Sequence, residues 1–196
     1  MNQPLTPTDA AAGTAQQADL WKPVLLRAAA ALVFGAVTVF WAGPSVEVMG
    51  FSGGLYLLGT GLLVLWSIPK TGYPRESLPG KVLSVAGAVL TGAGAASVLL
   101  HGDRVFGVVA AVGLGLAGAA ELYCGIRYRG RHLLARDWLA SGVIGLGTAA
   151  VLPFFISLGA HALLGVAGGG AIISGVLWVL SGLTLRHDSR PAAAKP

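Results

Sequence analysis

Six apolar runs divide this chain and leave it very few folds. They are Trp21–Trp41, Glu47–Ile68, Lys81–Leu100, Val105–Ile126, Asp137–Leu158 and Ala162–Leu185. Each holds about 20 residues, the length that crosses a hydrocarbon layer roughly 30 Å thick. Backbone groups in lipid must be satisfied within the chain, so runs of this length are predicted to be helices. The alternating segments of about 10 residues that a membrane barrel needs are absent. A soluble bundle would show a polar face along each helix, and these runs have none. The charged fraction agrees: 11% of residues, against roughly 25% in a soluble domain. The expected fold class is an all-α membrane protein of six transmembrane helices.

The connections are short and polar. Gly43-Pro44 breaks the first run from the second, and Pro69–Gly80 carries Pro69, Pro74 and Pro79. His101–Arg104 is a tight turn, Arg127–Arg136 a basic loop, and Gly159–His161 another turn. Pro153 predicts a kink near the far end of the fifth span. Residues 1–20 are rich in Ala, Gln, Thr and Pro and lack the basic start of a secretory signal; they read as a disordered tail. The transmembrane domain is placed at 21–185 and a basic C-terminal tail at 186–196.

Lys and Arg set the orientation. Of the 13 in the chain, all but Arg104 fall on one side of the expected layer. Both termini are therefore predicted to be cytoplasmic. The formal charge of +5 sits beside apolar runs. Its expected partner is the bilayer, with anionic lipid at Arg127, Arg129, Arg131 and Arg136, and not nucleic acid. The single cysteine, Cys124, excludes a disulfide within one chain and a cysteine-based metal site.

The chain also matches itself without gaps at a period of 57. Gly61, Gly118 and Gly175 align, as do Gly54, Ala111 and Gly168, Thr60, Ala117 and Ser174, and Ser67, Cys124 and Ser181. Each unit equals one helical hairpin, at about 21–77, 78–134 and 135–187. A two-helix unit restores the chain's direction, so the expected object is three parallel-repeated helical hairpins. Small residues on the second helix of each unit form a packing seam: Gly54, Gly61, Ala111, Gly118, Gly125, Gly168, Gly175 and Gly182. In lipid, such faces let backbones approach closely.

One carboxylate lies on that seam. Glu121 sits three residues after Gly118 and four before Gly125. Arg27 lies six residues past Trp21 and Glu121 six before Arg127, which puts both about 9 Å inside the same edge at 1.5 Å per residue. A lone charge at depth costs roughly 2.5–3.5 kcal/mol on insertion scales, so each calls for a partner. Arg27 and Glu121 are read as a buried ion pair or a proton site. Arg27 snorkelling to headgroups, with Glu121 protonated, is the other arrangement. The repeat equivalents of Glu121, Val64 and Trp178, are apolar, so the site is expected to be unique.

His101, Asp103 and His161 form a candidate pH-responsive cluster on the outer side, since histidine titrates near neutral pH. No metal site and no cofactor are expected, because no helical pair of histidines supports one. Gly168-Gly169-Gly170 follows no strand, which argues against a phosphate loop and for close packing or a local break. Ser174-Gly175 lacks the flanking residues of an intramembrane serine protease. No catalytic residue is assigned, and the chain is read as a non-enzyme.

The spans carry a resemblance. Trp21, Leu26, Arg27, Phe34-Gly35 and Trp41 in the first, with Gly118, Glu121, Ile126, Arg127 and Arg129 in the fourth, resemble the HdeD-like family of small bacterial membrane proteins. Departures are Ala28 in place of the family's glycine and Trp41-Ala42-Gly43-Pro44 in place of its W-P-G turn. The resemblance implies six helices in the bacterial cytoplasmic membrane and, for the family's named member, a role in acid resistance. It implies no reaction. Three roles stay open on the sequence: a stress-linked membrane protein, a small proton-coupled transporter or channel using the Glu121 seam, and an accessory or scaffold subunit with a protein partner or a second copy.

Overall fold

The computed structural model describes residues 19–189. The expected tails at 1–20 and 186–196 lie mostly outside them; of the first, Asp19 and Leu20 are described, and Leu20 is buried in the core and so belongs to the domain. Six α-helices run antiparallel in sequence order: α1 Trp21–Phe40, α2 Val46–Ser67, α3 Leu78–Leu100, α4 Asp103–Arg127, α5 Ala135–Val151 and α6 Ala160–Asp188. Short 3-10 segments extend α2 through Ile68–Thr71 and α5 through Leu152–Leu158. With these extensions every helix is long and apolar enough to cross a membrane, the longest having 29 residues. This is the makeup of a multi-pass membrane protein.

The helices form a closed ring, with α6 returning to pack along α1. The closest pairs are α2 with α3, α4 with α5, and α6 with α1. The successive hairpins α1–α2 and α5–α6 are looser. Glycine explains the difference. A Cβ on Gly61 would stand 2.6 Å from the Thr91 nitrogen, and one on Gly54 2.9 Å from the Gly94 oxygen. On α4 the same atom on Gly118 would lie 2.9 Å from the Gly142 oxygen, and on Gly125 2.7 Å from the Leu139 nitrogen. Backbone meets backbone at both interfaces. Between α6 and α1 the contact is backbone to side chain: Gly175 faces Leu32, Gly182 faces Leu25 and Gly168 faces Thr38. Ala111 is only half-buried, unlike the seam glycines.

Large apolar side chains cover the outside as well as the core. Phe40 is 85% exposed and Phe154 79%, a surface suited to lipid and costly in water. The interior is built on Phe34, Leu57, Leu90, Phe106 and Leu163.

Local chemistry sets the element ends, and it corrects several expected boundaries. Ser45 caps α2 by accepting a bond from the Val48 nitrogen at 3.3 Å, and Ser77 caps α3 from Gly80 at 3.3 Å. The third helix therefore starts at Leu78, not Lys81, because Pro79 fits its first turn, where no N–H is needed. Pro153 cannot donate to the Ala149 carbonyl. There the chain tightens into a 3-10 segment and does not simply kink. Gly72 (φ 78°) and Gly159 (φ 83°) take left-handed backbone and let the chain reverse. The last helix continues to Asp188, past the expected start of the tail at 186. The Gly168–Gly170 run is continuous helix; Gly168 packs on α1 and Gly170 on Thr148 of α5, so no local break occurs.

Candidate functional site

Arg27 and Glu121 meet at the centre of the ring. Arg27 Nη2 lies 2.7 Å from Glu121 Oε1, with side-chain exposures of 13% and 5%. The two residues come from helices that are not neighbours in the ring. Small residues make the approach possible, since Ala117 and Gly118 open the face of α4 one turn before Glu121. The contact is close but angled: Oε1 and Arg27 Nε make no well-aligned hydrogen bond.

Three other helices complete the surroundings. Ser141 of α5 donates to Glu121 Oε2 at 2.5 Å. The same hydroxyl also lies 2.8 Å from the Asp137 carbonyl, yet it has one proton to give. A charged acceptor outbids a neutral one, so an ionised Glu121 takes it. Trp178 of α6 lies under Arg27, with the guanidinium carbon 4.0 Å from the ring centre, a cation–π contact. Tyr56 of α2 stacks on Phe34 of α1 at 4.5 Å.

Between these groups is a cavity of about 30 Å³, bounded also by Thr60, Leu90 and Ser174, so every helix contributes to its wall. A water needs about 10–15 Å³ of such space. The buried Thr60 hydroxyl and Arg27 Nε have no protein partner, which is the environment an ordered water satisfies. The volume is too small for a metabolite.

A second cavity of about 30 Å³ lies toward the end of the bundle that holds Trp21. It shares Arg27 and Trp178 with the first, and its wall includes Ser67, Asp137 and Trp138. Asp137 accepts a hydrogen bond from Ser181 and also borders an open groove of about 390 Å³ between α5 and α6. Sequence reasoning treated Asp137 only as the start of a span. Other hydroxyls in the apolar runs are Tyr56, Thr60, Thr91, Ser97 and Thr148, and the sequence alone assigns neither Ser141 nor Ser174 to the Glu121 site. Thr91, Ser97 and Thr148 bond carbonyls of their own helices. The serines at the site are Ser141 and Ser174. Each immediately precedes a glycine, Gly142 and Gly175, and a serine beside a glycine reads as packing until the rotation of its helix is known.

The outer cluster is not assembled. His101 packs against Phe51 at 4.8 Å, and its Nε2 is buried without a partner. Asp103 opens α4 with Oδ1 unpaired. His161 is exposed on α6. No hydrogen bond or ion pair joins the three among the described residues, and no group of three or more potential ligands is placed to hold a metal there.

The histidine with an organised environment is His132, in the loop after α4. Its Nε2 donates to the Thr71 carbonyl at 2.9 Å, and its Nδ1 accepts from the Leu134 nitrogen at 3.1 Å. Those two bonds fix the neutral tautomer. The ring stacks on Trp138 at 4.7 Å and on Tyr73 at 5.2 Å. Burial pushes its pKa below the usual value of 6.5, with the Thr71 carbonyl opposing.

No protein-family model, no curated protein and no solved structure matches this chain. The class that fold and site define is a six-helix membrane bundle with a charged pair at its centre.

Proposed function

We propose that the chain is a bacterial cytoplasmic-membrane protein of the HdeD-like type, without catalytic chemistry, whose Arg27–Glu121 pair pins its first and fourth helices together. The observation that carries this reading is the pair itself, at 2.7 Å, in a cavity of about 30 Å³. Ser141 is bonded to the carboxylate, and the remaining space is too small for a substrate. Arg27 and Glu121 are also residues on which the family resemblance rests.

Three parallel hairpins with cytoplasmic termini belong to the same proposal. Residues 57 apart recur around the central cavity: Thr60, Ala117 and Ser174 all line it, and so do Glu121 and Trp178. Arg27 and Ser141, two periods apart, both touch Glu121. That is the placement expected of repeats about an axis through the cavity. Anionic lipid is the proposed partner of the basic end. Arg129 and Arg136 head a surface trough whose wall is Leu139, Ala140, Val143 and Ile144, so a headgroup and an acyl chain would each meet suitable chemistry.

The stress-linked role is tested by acid survival of a strain lacking the chain. Restoration by the wild type and loss of restoration with Arg27→Ala is the expected pattern. Full survival without the chain removes the role. A reporter fused after Lys195 that is active only outside the cell should be silent; activity would reverse the orientation.

A further inference from the structure

Arg27 lines two small cavities, each with one carboxylate in its wall, and among the described residues it is paired with only one of them. Its guanidinium lines both small cavities. Glu121 is in the inner one and Asp137 in the outer one. Asp137 receives only the Ser181 hydroxyl. Among the described residues Arg27 is the one cation that borders both cavities, while Arg136 lies on the open-groove side of Asp137; a second carboxylate left uncompensated inside the bundle is costly unless a proton neutralises it. Trp178 borders both cavities, with its ring centre 4.0 Å from the guanidinium carbon. It supports Arg27 over the ring, while Nη2 holds Glu121 and Nε is unpartnered.

We propose that Glu121 and Asp137 form a one-proton binding site in which a proton and the Arg27 guanidinium occupy opposite carboxylates. In the arrangement described, Arg27 holds ionised Glu121 and the proton is on Asp137. In the exchanged arrangement Arg27 turns over the Trp178 ring to ionised Asp137, and the proton is on Glu121. The proton comes from water in the groove between α5 and α6, which touches Asp137, and the trio stays neutral throughout. This rests on the ion pair of the preceding reading and gives it a ligand and a side of entry.

The groups that face the site are few. Arg27 comes from α1, Tyr56 from α2, and Asp137 with Arg136 at the groove from α5. On α4 Cys124 follows Glu121 by three residues. From α3 comes Leu90, and from α6 Ser174 and Trp178, none of which titrates; Asp188 is at the groove.

The test is infrared spectroscopy of the full chain in lipid nanodiscs at neutral pH, reading the C=O stretch of protonated carboxyl groups. The Glu121→Gln/Asp137→Asn double variant is the baseline. Wild type should exceed it by one carboxyl. Glu121→Gln and Asp137→Asn should each lose that band, because the remaining carboxylate takes Arg27. Arg27→Gln should double it. A band that persists in either single variant, or none in wild type, overturns the shared proton. If wild type already shows two carboxyls and Arg27→Gln changes nothing, the ion pair itself fails, a different result. Should Arg27→Gln not fold, the two isosteric carboxyl variants still decide.

Discussion

The bundle holds two organised polar clusters, and they are built on opposite principles. At the centre, Arg27 and Glu121 are buried and paired, and joined from helices apart in sequence. At the end of the bundle that holds Trp21, His132 is neutral and bonded on both ring nitrogens to backbone of two loops. The central cluster is held by mutual charge, so losing one member strands the other. The loop cluster is held by directional bonds between neutral groups, and water stands nearby to replace them. The difference sets how strongly each should respond to change.

The largest effect belongs to the centre. Arg27→Ala and Glu121→Ala should each cost about 3–5 kcal/mol, because an unpaired buried charge remains. The double variant should recover part of that loss. Thermal unfolding in detergent reads all three, and equal, additive losses would break the contrast.

Ser141→Ala comes next. It removes the one hydrogen bond that Glu121 Oε2 accepts at 2.5 Å, and bonds to charged groups are worth about 1.5–3 kcal/mol. A loss no greater than that of an exposed serine would mean that Glu121 does not depend on it.

His132→Ala should cost about 1–3 kcal/mol, two neutral hydrogen bonds at roughly 0.5–1.5 kcal/mol each. A larger loss than that of Ser141→Ala would invert the ranking of the two clusters.

The smallest effect is one of pH, and it is confined to the loop cluster. The folded His132 pKa is lowered by burial from 6.5, so the unfolded chain takes up a proton first as pH falls. The His132 contribution is complete above about 6.5 and is lost as pH drops through that value toward the folded pKa. Stability of the wild type should thus decline on acidification where His132→Gln is flatter. Parallel curves for the two would show that His132 is not the titrating group.

Part of the central site was legible because depth in a membrane can be counted along a helix. Six residues from Trp21 and six from Arg127 put Arg27 and Glu121 at one level, and an isolated charge there demands a partner. Depth does not give azimuth. Whether Ser141 or Ser174 faces the axis depends on how each helix is rotated. Asp137 reads only as the start of a span, yet it lines a cavity that Arg27 also lines. His132 gave no signal at all, since its partners are the Thr71 carbonyl and the Leu134 nitrogen, groups every residue carries.

The sequence by itself determined the number of helices and which of their faces are smooth. Both follow from local rules: the length and apolarity of each run, and glycines spaced by whole turns. The tertiary structure decided the pairing. The closest contacts join α2 to α3, α4 to α5 and α6 to α1, so the hairpin that chain order suggests is not always the tightest unit. Connectivity limits which helices can be near, but how close they come depends on where two smooth faces meet. That is a property of two surfaces together, and one helix's sequence holds only half of it.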